Sequence, residues 1–361
     1  MLLAGLVVAL LFYKFHGSLV SSRFHWATVG RALHDVRISL LLLSIVSIYA
    51  CYALRALRWM RFSRALGRMQ FWNAYGATLM GFSCLFILGR AGEPVRPVLI
   101  AKKDSLSIPG MFGVYVLERV FDIASTAVIA GIALLLFQRG GFEGNRSAPV
   151  MSVMRSVGAA LLAGLIAVIG FLVYFRYHGG GWLARKLQES TWRTGWRGKF
   201  VLLLEGFSEG LQGIRTWGDL GVLVGYTAAH WLLVTLVYLW VARAFGGTLA
   251  AFDVAQATLL LAVTMVGSTA QLPGVGGGAQ AASFLAFTLI FGVASELAAT
   301  VSIVLWLITF ASCVVVGLPL LFHEGWSMGE LRRMARAEEE AGNAALLEEA
   351  EHAADSKRRP L

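Results

Sequence analysis

The sequence predicts an all-α integral membrane protein, folded as a polytopic helical bundle. Of its 361 residues, 57% are hydrophobic and only 14% are charged, whereas a soluble domain carries about 25% charged residues. The mean hydropathy is +0.69. Several apolar stretches approach the roughly 20 residues that cross a bilayer, and none alternates with the period of two that marks the strands of a membrane barrel.

Six stretches are predicted as full spans and two as interrupted segments. The full spans are 1–15, 38–57, 113–137, 157–175, 220–241 and 297–322. The interrupted stretches are 71–88, which runs into "GRAGEPVRP", and 254–270, which runs into "QLPGVGGGAQ". Because glycine and proline disrupt a helix, we expect each to form a re-entrant hairpin. A complete but kinked crossing is the alternative.

Basic residues between the spans predict the orientation, since Lys and Arg gather in cytoplasmic loops. One basic cluster begins at the end of the second span and continues beyond it, and another lies within 176–215. The first cluster comprises Arg55, Arg58, Arg61, Arg64 and Arg68. If both face the cytoplasm, the first hairpin opens there and the second opens outside. The halves 1–137 and 157–322 are then inverted repeats, an arrangement typical of a transport site near the midplane of the bilayer.

Two segments outside the spans are expected at the cytoplasmic face. Residues 179–215 mix tryptophan with lysine and arginine, which predicts an interfacial helix, and residues 323–361 form a polar cytoplasmic tail. The net charge of +10 fits the basic loops of a membrane protein, so we expect no nucleic-acid partner. The three cysteines lie in apolar runs without metal-ligand spacing, and we expect neither a metal site nor a cofactor.

The first interrupted segment contains candidate anion-binding residues. A helix that begins near Pro94 exposes unpaired N–H groups at the positive end of its dipole, which favours a phosphate. Arg90 and Arg96 would add bidentate contacts. In the alternative interpretation, Glu93 pairs with Arg90 or Arg96 and only holds the turn.

The stretch "VLERVFDIAS" places ionisable residues inside a predicted span. Glu118 and Asp122 are four residues apart and share a helix face, while Arg119 lies about 100° away. Such groups cost several kcal/mol in a bilayer and usually face a cavity, a partner or a pathway. Two interpretations stay open, namely a proton or substrate relay and structural pairing with Arg90, Arg96 or Arg119.

The second interrupted segment is too rich in glycine for an ordinary helix, and no strand precedes it as a nucleotide fingerprint requires. Its backbone is expected to approach a ligand or the first hairpin closely, with a simple kink as the alternative. Its candidate residues are Gln271, Pro273, Gly274, Gly276, Gly277 and Gln280. The sequence has no GxxxxGK[ST] or HExxH motif, so we expect no enzymatic activity.

Four motifs in this order, "GRAGEPVRP", "VLERVFD", "LPGVGGGAQ" and "FGVASELAATVSIVLW", resemble the lysylphosphatidylglycerol synthase transmembrane domain family. That family includes the flippase half of the multiple peptide resistance factor. The resemblance covers most of residues 1–322, and it implies a multi-pass, flippase-like domain in a bacterial inner membrane. It further implies movement of modified phospholipids or polyprenyl-linked glycolipids between leaflets.

The sequence departs from the family pattern at two positions. Gln280 stands where relatives commonly have glutamate, and Trp306 stands where a late span often has arginine. The aminoacyl-transferase domain of the bifunctional relatives has no counterpart in this sequence, so we expect a stand-alone member that does not lysylate lipid.

The leading functional hypothesis is a lipid flippase. A headgroup phosphate would enter a cavity between the hairpins and bind Arg90 and Arg96, while Glu118 and Asp122 gate the cavity or carry protons. Two alternatives stay open. One is an intramembrane lipid-modifying enzyme with either carboxylate as its base, and the other is a non-transporting accessory subunit of an envelope-assembly complex. The expected partner is a membrane lipid, with a homo-oligomer or an envelope-biogenesis protein as further options.

Overall fold

The computed structural model describes residues 34–139, 216–268, 271–272 and 276–326, with a few isolated positions besides. The predicted spans 1–15 and 157–175, the interfacial segment 179–215 and most of the tail 323–361 lie outside these residues. Within them the fold is helical, apart from one antiparallel pair of two-residue strands.

Nine α-helices make up the described part of the bundle. They are α1 Ile38–Phe62, α2 Phe71–Leu88, α3 Val95–Lys103, α4 Ile108–Arg139, α5 Trp217–Ala244, α6 Val254–Gly267, α7 Gly278–Leu285, α8 Ser295–Trp306 and α9 Ser312–His323. The strands are β1 Gln271–Leu272 and β2 Gly276–Gly277. Four helical stretches are long and apolar enough to cross a membrane, namely Ile38–Ala65, Phe71–Leu88, Trp217–Ala244 and Ser295–His323. The multi-pass helical architecture is confirmed, and the number of crossings stays a prediction.

Each helix that matches a predicted full span is longer than the apolar run that predicted it. The predicted and observed bounds are 38–57 and Ile38–Phe62, 113–137 and Ile108–Arg139, 220–241 and Trp217–Ala244, and 297–322 and Ser295–His323. A helix continues through polar residues wherever these find partners. At the start of α5, for example, Thr216 and Asp219 form a capping box with the first turn, which satisfies two of its free N–H groups.

The first interrupted segment is a helical hairpin of α2, a 3₁₀ turn at Gly89–Gly92 and α3. Its arms pack with almost no space between their backbones. A Cβ atom added to Gly92 would lie 2.4 Å from the carbonyl of Cys84, and one added to Gly81 would lie 2.6 Å from the Cβ of Arg96. Gly92 thus contacts residue 84 of α2, and Arg96, further along the chain, contacts the earlier residue 81. The chain therefore runs back along α2 after the turn.

Both ends of the first hairpin lie at the same level of the bundle. The Asp104 carboxylate, directly after α3, accepts hydrogen bonds from the Asn73 side chain at 2.6 Å and from the Gln70 backbone N–H at 3.2 Å. Gln70 directly precedes α2. The chain thus enters and leaves this hairpin at one end.

The second interrupted segment is also a helical hairpin, formed by α6, the strands and α7 with its π-helical extension Ala286–Ile290. A Cβ atom added to Gly267 would lie 2.3 Å from the Cβ of Ala282, so the arms touch near the tip. At the open end, the rings of Phe252 and Phe291 lie 5.0 Å apart. In the tip, Gln271 pairs with Gly277 across the two strands.

The two hairpins open at opposite ends of the bundle. At the end that we name the basic end, Arg64 at the close of α1 pairs with Asp219 at the start of α5, and Lys103 at the base of the first hairpin pairs with Glu324 after α9. At the other end, the Arg37 N–H donates to the carbonyl of Ala244 at 2.8 Å.

The second hairpin begins at this other end, because α6 follows α5 after a short loop in which Arg243 Nε donates to the carbonyl of Phe252 at 2.6 Å. Its strand β1 approaches the 3₁₀ turn Gly89–Gly92 of the first hairpin, with Cα atoms within 8 Å. The tips of the hairpins therefore meet inside the bundle.

Two apolar cores support this arrangement. One is built mainly from α1, α5, α8 and the second hairpin, and it includes Val237, Leu260 and Phe287. The other lies beneath the first hairpin and includes Trp59 and Leu99. The first hairpin is thus packed into the protein.

The last long helical stretch is divided by a π-helical segment at Leu307–Ala311. Before it, α8 packs on α5 and α7, and after it, α9 packs on α2. Gly317 makes the second contact close, because an added Cβ atom would lie 2.3 Å from the carbonyl oxygen of Leu79 and 2.2 Å from Ser83 Oγ. The stretch therefore links one hairpin to the other.

We expect Gly317→Ala to lower the stability of the purified protein. The added methyl group cannot fit between α9 and α2, and overpacking of this kind costs about 1–3 kcal/mol. The measurement is the temperature of half-maximal aggregation in detergent, followed by fluorescence-detected size exclusion.

Gly225→Ala is the matched control, because Gly225 lies in α5 with no atom within 4 Å of the added Cβ atom, and alanine is the better helix former. Equal aggregation temperatures for the two variants would contradict the close contact between α9 and α2.

Candidate functional site

Six ionisable side chains converge where α1, α3 and α4 meet, and we name them the charged cluster. They are Arg55 and Arg58 on α1, Arg96 on α3, and Glu118, Arg119 and Asp122 on α4. The relative exposures of Arg58, Arg96 and Glu118 are 1%, 5% and 0%. Buried charges are costly unless they are paired and hydrogen-bonded, so the cluster needs its internal contacts.

Glu118 is the centre of the cluster, because three arginines from two other elements donate to it. Its Oε1 atom lies 2.9 Å from Arg55 Nη1 and 2.8 Å from Arg58 Nη2, and its Oε2 atom lies 2.9 Å from Arg96 Nη1. This one carboxylate therefore joins α3, the returning arm of the first hairpin, to α1 and α4.

Asp122 lies one turn further along the same face of α4, as its spacing from Glu118 predicts. It accepts hydrogen bonds from Arg55 Nη1 at 3.0 Å and from Arg58 Nη2 at 2.8 Å. Arg58 Nη1 also donates to the Thr227 hydroxyl of α5 at 3.4 Å. The two α1 arginines thus bridge both carboxylates, and one of them reaches a fourth helix.

Arg119 lies at the edge of the cluster with longer contacts. Its Nη2 atom is 3.7 Å from Glu118 and 3.8 Å from Asp122, and its side chain is 40% exposed. Its guanidinium also lies over the ring of Tyr115, with 5.2 Å to the centroid. Arg119 is therefore the member of the cluster that a ligand reaches with the least rearrangement of the protein.

Aromatic rings cover the faces of two cluster arginines. Arg96 Cζ lies 4.1 Å from the ring centroid of Trp59, and the Phe82 ring lies 5.9 Å from Arg96 Cζ and 5.4 Å from Arg55 Cζ. Cation–π contacts offset part of the cost of burying a guanidinium, and these rings also fix its plane.

The cluster carries more positive than negative charge. Its four arginines face two carboxylates, which leaves a formal excess of two positive charges. In a poorly solvated interior, unlike charges attract far more strongly than in water. The arrangement is therefore suited to binding an anion.

Of the candidate residues in the first hairpin, Arg96 belongs to the charged cluster and Glu93 does not. Arg96 pairs with Glu118, which agrees with the structural pairing that the sequence left open. Glu93 accepts a hydrogen bond from the Tyr115 hydroxyl, and among the described side chains it makes no ion pair with Arg96. The alternative in which Glu93 pairs with Arg96 is therefore wrong. The Arg90 side chain lies outside the described residues.

The second-hairpin candidates lie at the other tip and do not enter the charged cluster where the structure describes them. Gln271, Gly276 and Gly277 belong to the strand pair. The Gln280 side chain accepts from the Gly277 N–H at 3.2 Å and so caps the start of α7. Pro273 and Gly274 lie outside the described residues.

The assignment of Arg55 and Arg58 to a cytoplasmic basic cluster is wrong. Both lie on α1, are 9% and 1% exposed, and pair with the carboxylates of α4. A signal was present in the sequence, because Cys51, Arg55, Arg58 and Phe62 follow a helical spacing and all four are buried. Arginines that continue the buried stripe of a span indicate the interior rather than a loop.

Comparison with known proteins identifies one family. The family described as lysylphosphatidylglycerol synthase TM region matches residues 1–317. No curated protein and no solved structure matches the chain significantly.

We expect Glu118→Gln to destabilise the protein strongly. The change keeps the shape of the side chain but removes the charge that three buried arginines face, and breaking a buried ion pair costs about 3–5 kcal/mol. The measurement is again thermal aggregation in detergent.

Glu296→Gln is the control, because Glu296 lies in the first turn of α8 and makes no ion pair with a described residue. If Glu118→Gln lowers the aggregation temperature no more than Glu296→Gln does, the Glu118 carboxylate is not what holds the arginines.

Proposed function

We propose that this chain, which belongs to the lysylphosphatidylglycerol synthase transmembrane region family, transports a lipid between the leaflets of a bacterial inner membrane. The cargo would be an anionic or modified phospholipid or a polyprenyl-linked glycolipid. One observation carries the proposal. An excess of positive charge is buried beside a hairpin whose tip meets the tip of a second hairpin from the opposite end.

The depth of the cluster supports a site within the bilayer. Arg55 lies seven residues before the end of α1, and Glu118 lies ten residues after the start of α4, and both of these helix ends are at the basic end. At 1.5 Å per residue, the two positions are about 10 Å and about 15 Å from that end. Ionisable groups at such depth usually mark a substrate or ion pathway.

The hairpin geometry supports alternating access. Arg96 lies on the returning arm of the first hairpin, and its ion pair with Glu118 ties that arm to α4. Release of this pair on arrival of a phosphate would let the first hairpin move against α1 and α4. Because the hairpins open at opposite ends, rocking of the two halves would expose the cluster to each leaflet in turn. In this mechanism Glu118 and Asp122 gate the site.

The charge distribution supports an orientation with the basic end in the cytoplasm. Among residues 34–139 and 216–326, five Lys or Arg residues lie at that end and three at the other. The five are Arg61, Arg64, Arg68, Lys102 and Lys103, and the three are Arg37, Arg139 and Arg243. Cytoplasmic ends carry the excess of basic residues. Since α9 ends there, the tail that follows it would be cytoplasmic.

We favour transport over intramembrane lipid modification because the two cluster carboxylates are already engaged by arginines, so neither offers a free base. Comparing the lipids of cells with and without the protein separates the two functions. An enzyme changes which lipid species are present, and a transporter changes only their leaflet.

We expect cysteines at the two ends of one hairpin to react with an impermeant thiol reagent from the same side of the membrane. Gln70→Cys and Ser105→Cys flank the first hairpin, and Ala251→Cys and Ala294→Cys flank the second. All four positions are exposed. The first pair should react from one side of oriented vesicles and the second pair from the other.

The unmodified chain is the control, because Cys51, Cys84 and Cys313 are buried. Reaction of Gln70→Cys and Ser105→Cys from different sides would show that the first segment crosses the membrane completely. The two opposed hairpins on which the transport proposal depends would then be contradicted.

We expect Arg119→Gln to slow lipid movement several-fold with little loss of stability. Arg119 is half-exposed and makes only long contacts to the carboxylates, so it contributes more to an arriving anion than to the fold. The measurement is leaflet exchange of fluorescent phosphatidylglycerol in vesicles that contain the purified protein, with dithionite quenching of the outer leaflet.

Arg68→Gln is the matched control, because it removes an exposed arginine outside the cluster. If vesicles with the unchanged protein move no more lipid than protein-free vesicles, across phospholipid and polyprenyl-linked probes, transport by the chain alone is excluded. An accessory role in a larger complex would then become the leading proposal.

A further inference from the structure

Arg96 uses one nitrogen in its ion pair, and its remaining hydrogen-bonding edge has no partner among the described residues. Its Nη1 atom donates to Glu118 Oε2 at 2.9 Å, while its Nε and Nη2 atoms are buried with no acceptor among the described residues. In a guanidinium group, the Nε hydrogen and one Nη2 hydrogen lie in the plane of the group and point in the same direction along one edge. Together they form a two-pronged donor edge of the kind that binds two oxygens of one anion.

Such a free edge is unusual in a buried side chain. Most buried polar atoms have a hydrogen-bond partner, and an exception needs an explanation such as a bound ion or ligand. Arg96 is 5% exposed, so its donor edge is not accessible to bulk solvent. The residue is also held in place, because Glu118 fixes one nitrogen and the Trp59 ring covers the guanidinium face at 4.1 Å.

The surroundings of Arg96 supply further donors. Trp59 Nε1 and Arg58 Nε are also buried without a partner in the described part of the chain. The nearby carboxylates of Glu118 and Asp122 already accept from arginines. The neighbourhood therefore has N–H groups for which the described residues supply no acceptor.

We infer that the Nε–Nη2 edge of Arg96 is a binding site for the two non-bridging oxygens of a phosphodiester lipid headgroup. The inference rests on the proposed function and restricts its cargo to lipids with a phosphodiester headgroup. A phosphodiester carries one negative charge and two free oxygens, which one edge satisfies. A phosphomonoester has three free oxygens, one more than the two donors of this edge. A lipid with no phosphate offers no matching pair of oxygens.

The test is native mass spectrometry of the purified full-length chain with four added probes. Phosphatidylglycerol and a polyprenyl phosphosugar are phosphodiesters of the two lipid classes, phosphatidic acid is a phosphomonoester, and diacylglycerol has no phosphate. We expect at least one phosphodiester to bind at least ten-fold more tightly than diacylglycerol and more tightly than phosphatidic acid. Which phosphodiester binds identifies the lipid class.

Arg96→Lys separates charge from geometry, because lysine keeps the positive charge but has no second coplanar donor. We expect it to weaken phosphodiester binding at least ten-fold. Arg243→Lys is the matched control, since Arg243 also donates through Nε but to the Phe252 carbonyl at the opposite end of the bundle, and it should bind as the unchanged chain does.

Equal binding of phosphodiester by Arg96→Lys and the unchanged chain overturns the inference. So does equal retention of diacylglycerol or phosphatidic acid by the unchanged chain, which is measured without any variant and does not depend on how Arg96→Lys folds. If phosphodiester binding requires Arg96 while vesicles with the protein show no lipid movement, the inference stands and the proposed transport function fails.

Discussion

The pairing of two carboxylates with four arginines inside the bundle is the constraint on which the rest of the structure depends. Removing these charges from water costs free energy that only close, hydrogen-bonded partners offset. Glu118 receives donors from α1 and from the first hairpin, and Asp122 repeats the contact to α1 one turn later. The positions of α1, α3 and α4 around the cluster are therefore fixed by charge as well as by apolar packing.

The hairpins meet this constraint because their backbones are interrupted in protected places. Non-helical backbone at membrane depth is tolerated only where protein or a cavity surrounds it. In the first hairpin, Gly81 and Gly92 let the returning arm lie directly against α2, which brings Arg96 to the carboxylates. In the second, a strand pair satisfies part of the tip backbone. The two glycines thus allow the backbone approach that positions the Arg96 side chain.

The charged cluster carries an excess of positive charge, because the described residues supply two carboxylates for four arginines. Arg96 shows the imbalance most clearly, since its Nε and Nη2 atoms have no acceptor in the part of the chain that the structure describes. Family membership, the two opposed hairpins and this edge of Arg96 are the observations on which our proposal of a phosphate-bearing lipid rests.

The sequence alone determined the helical membrane class, the two breaks in the apolar segments and the shared face of Glu118 and Asp122, because each follows from local composition or helical spacing. Only the tertiary structure showed that Arg55 and Arg58 are buried, that Glu93 pairs with Tyr115, and that α1 continues to Phe62. Hydropathy scores each residue by its own transfer from water and omits its partners. Whether an arginine lies in a loop or in the interior depends on a carboxylate about 60 residues away, which local pattern does not include.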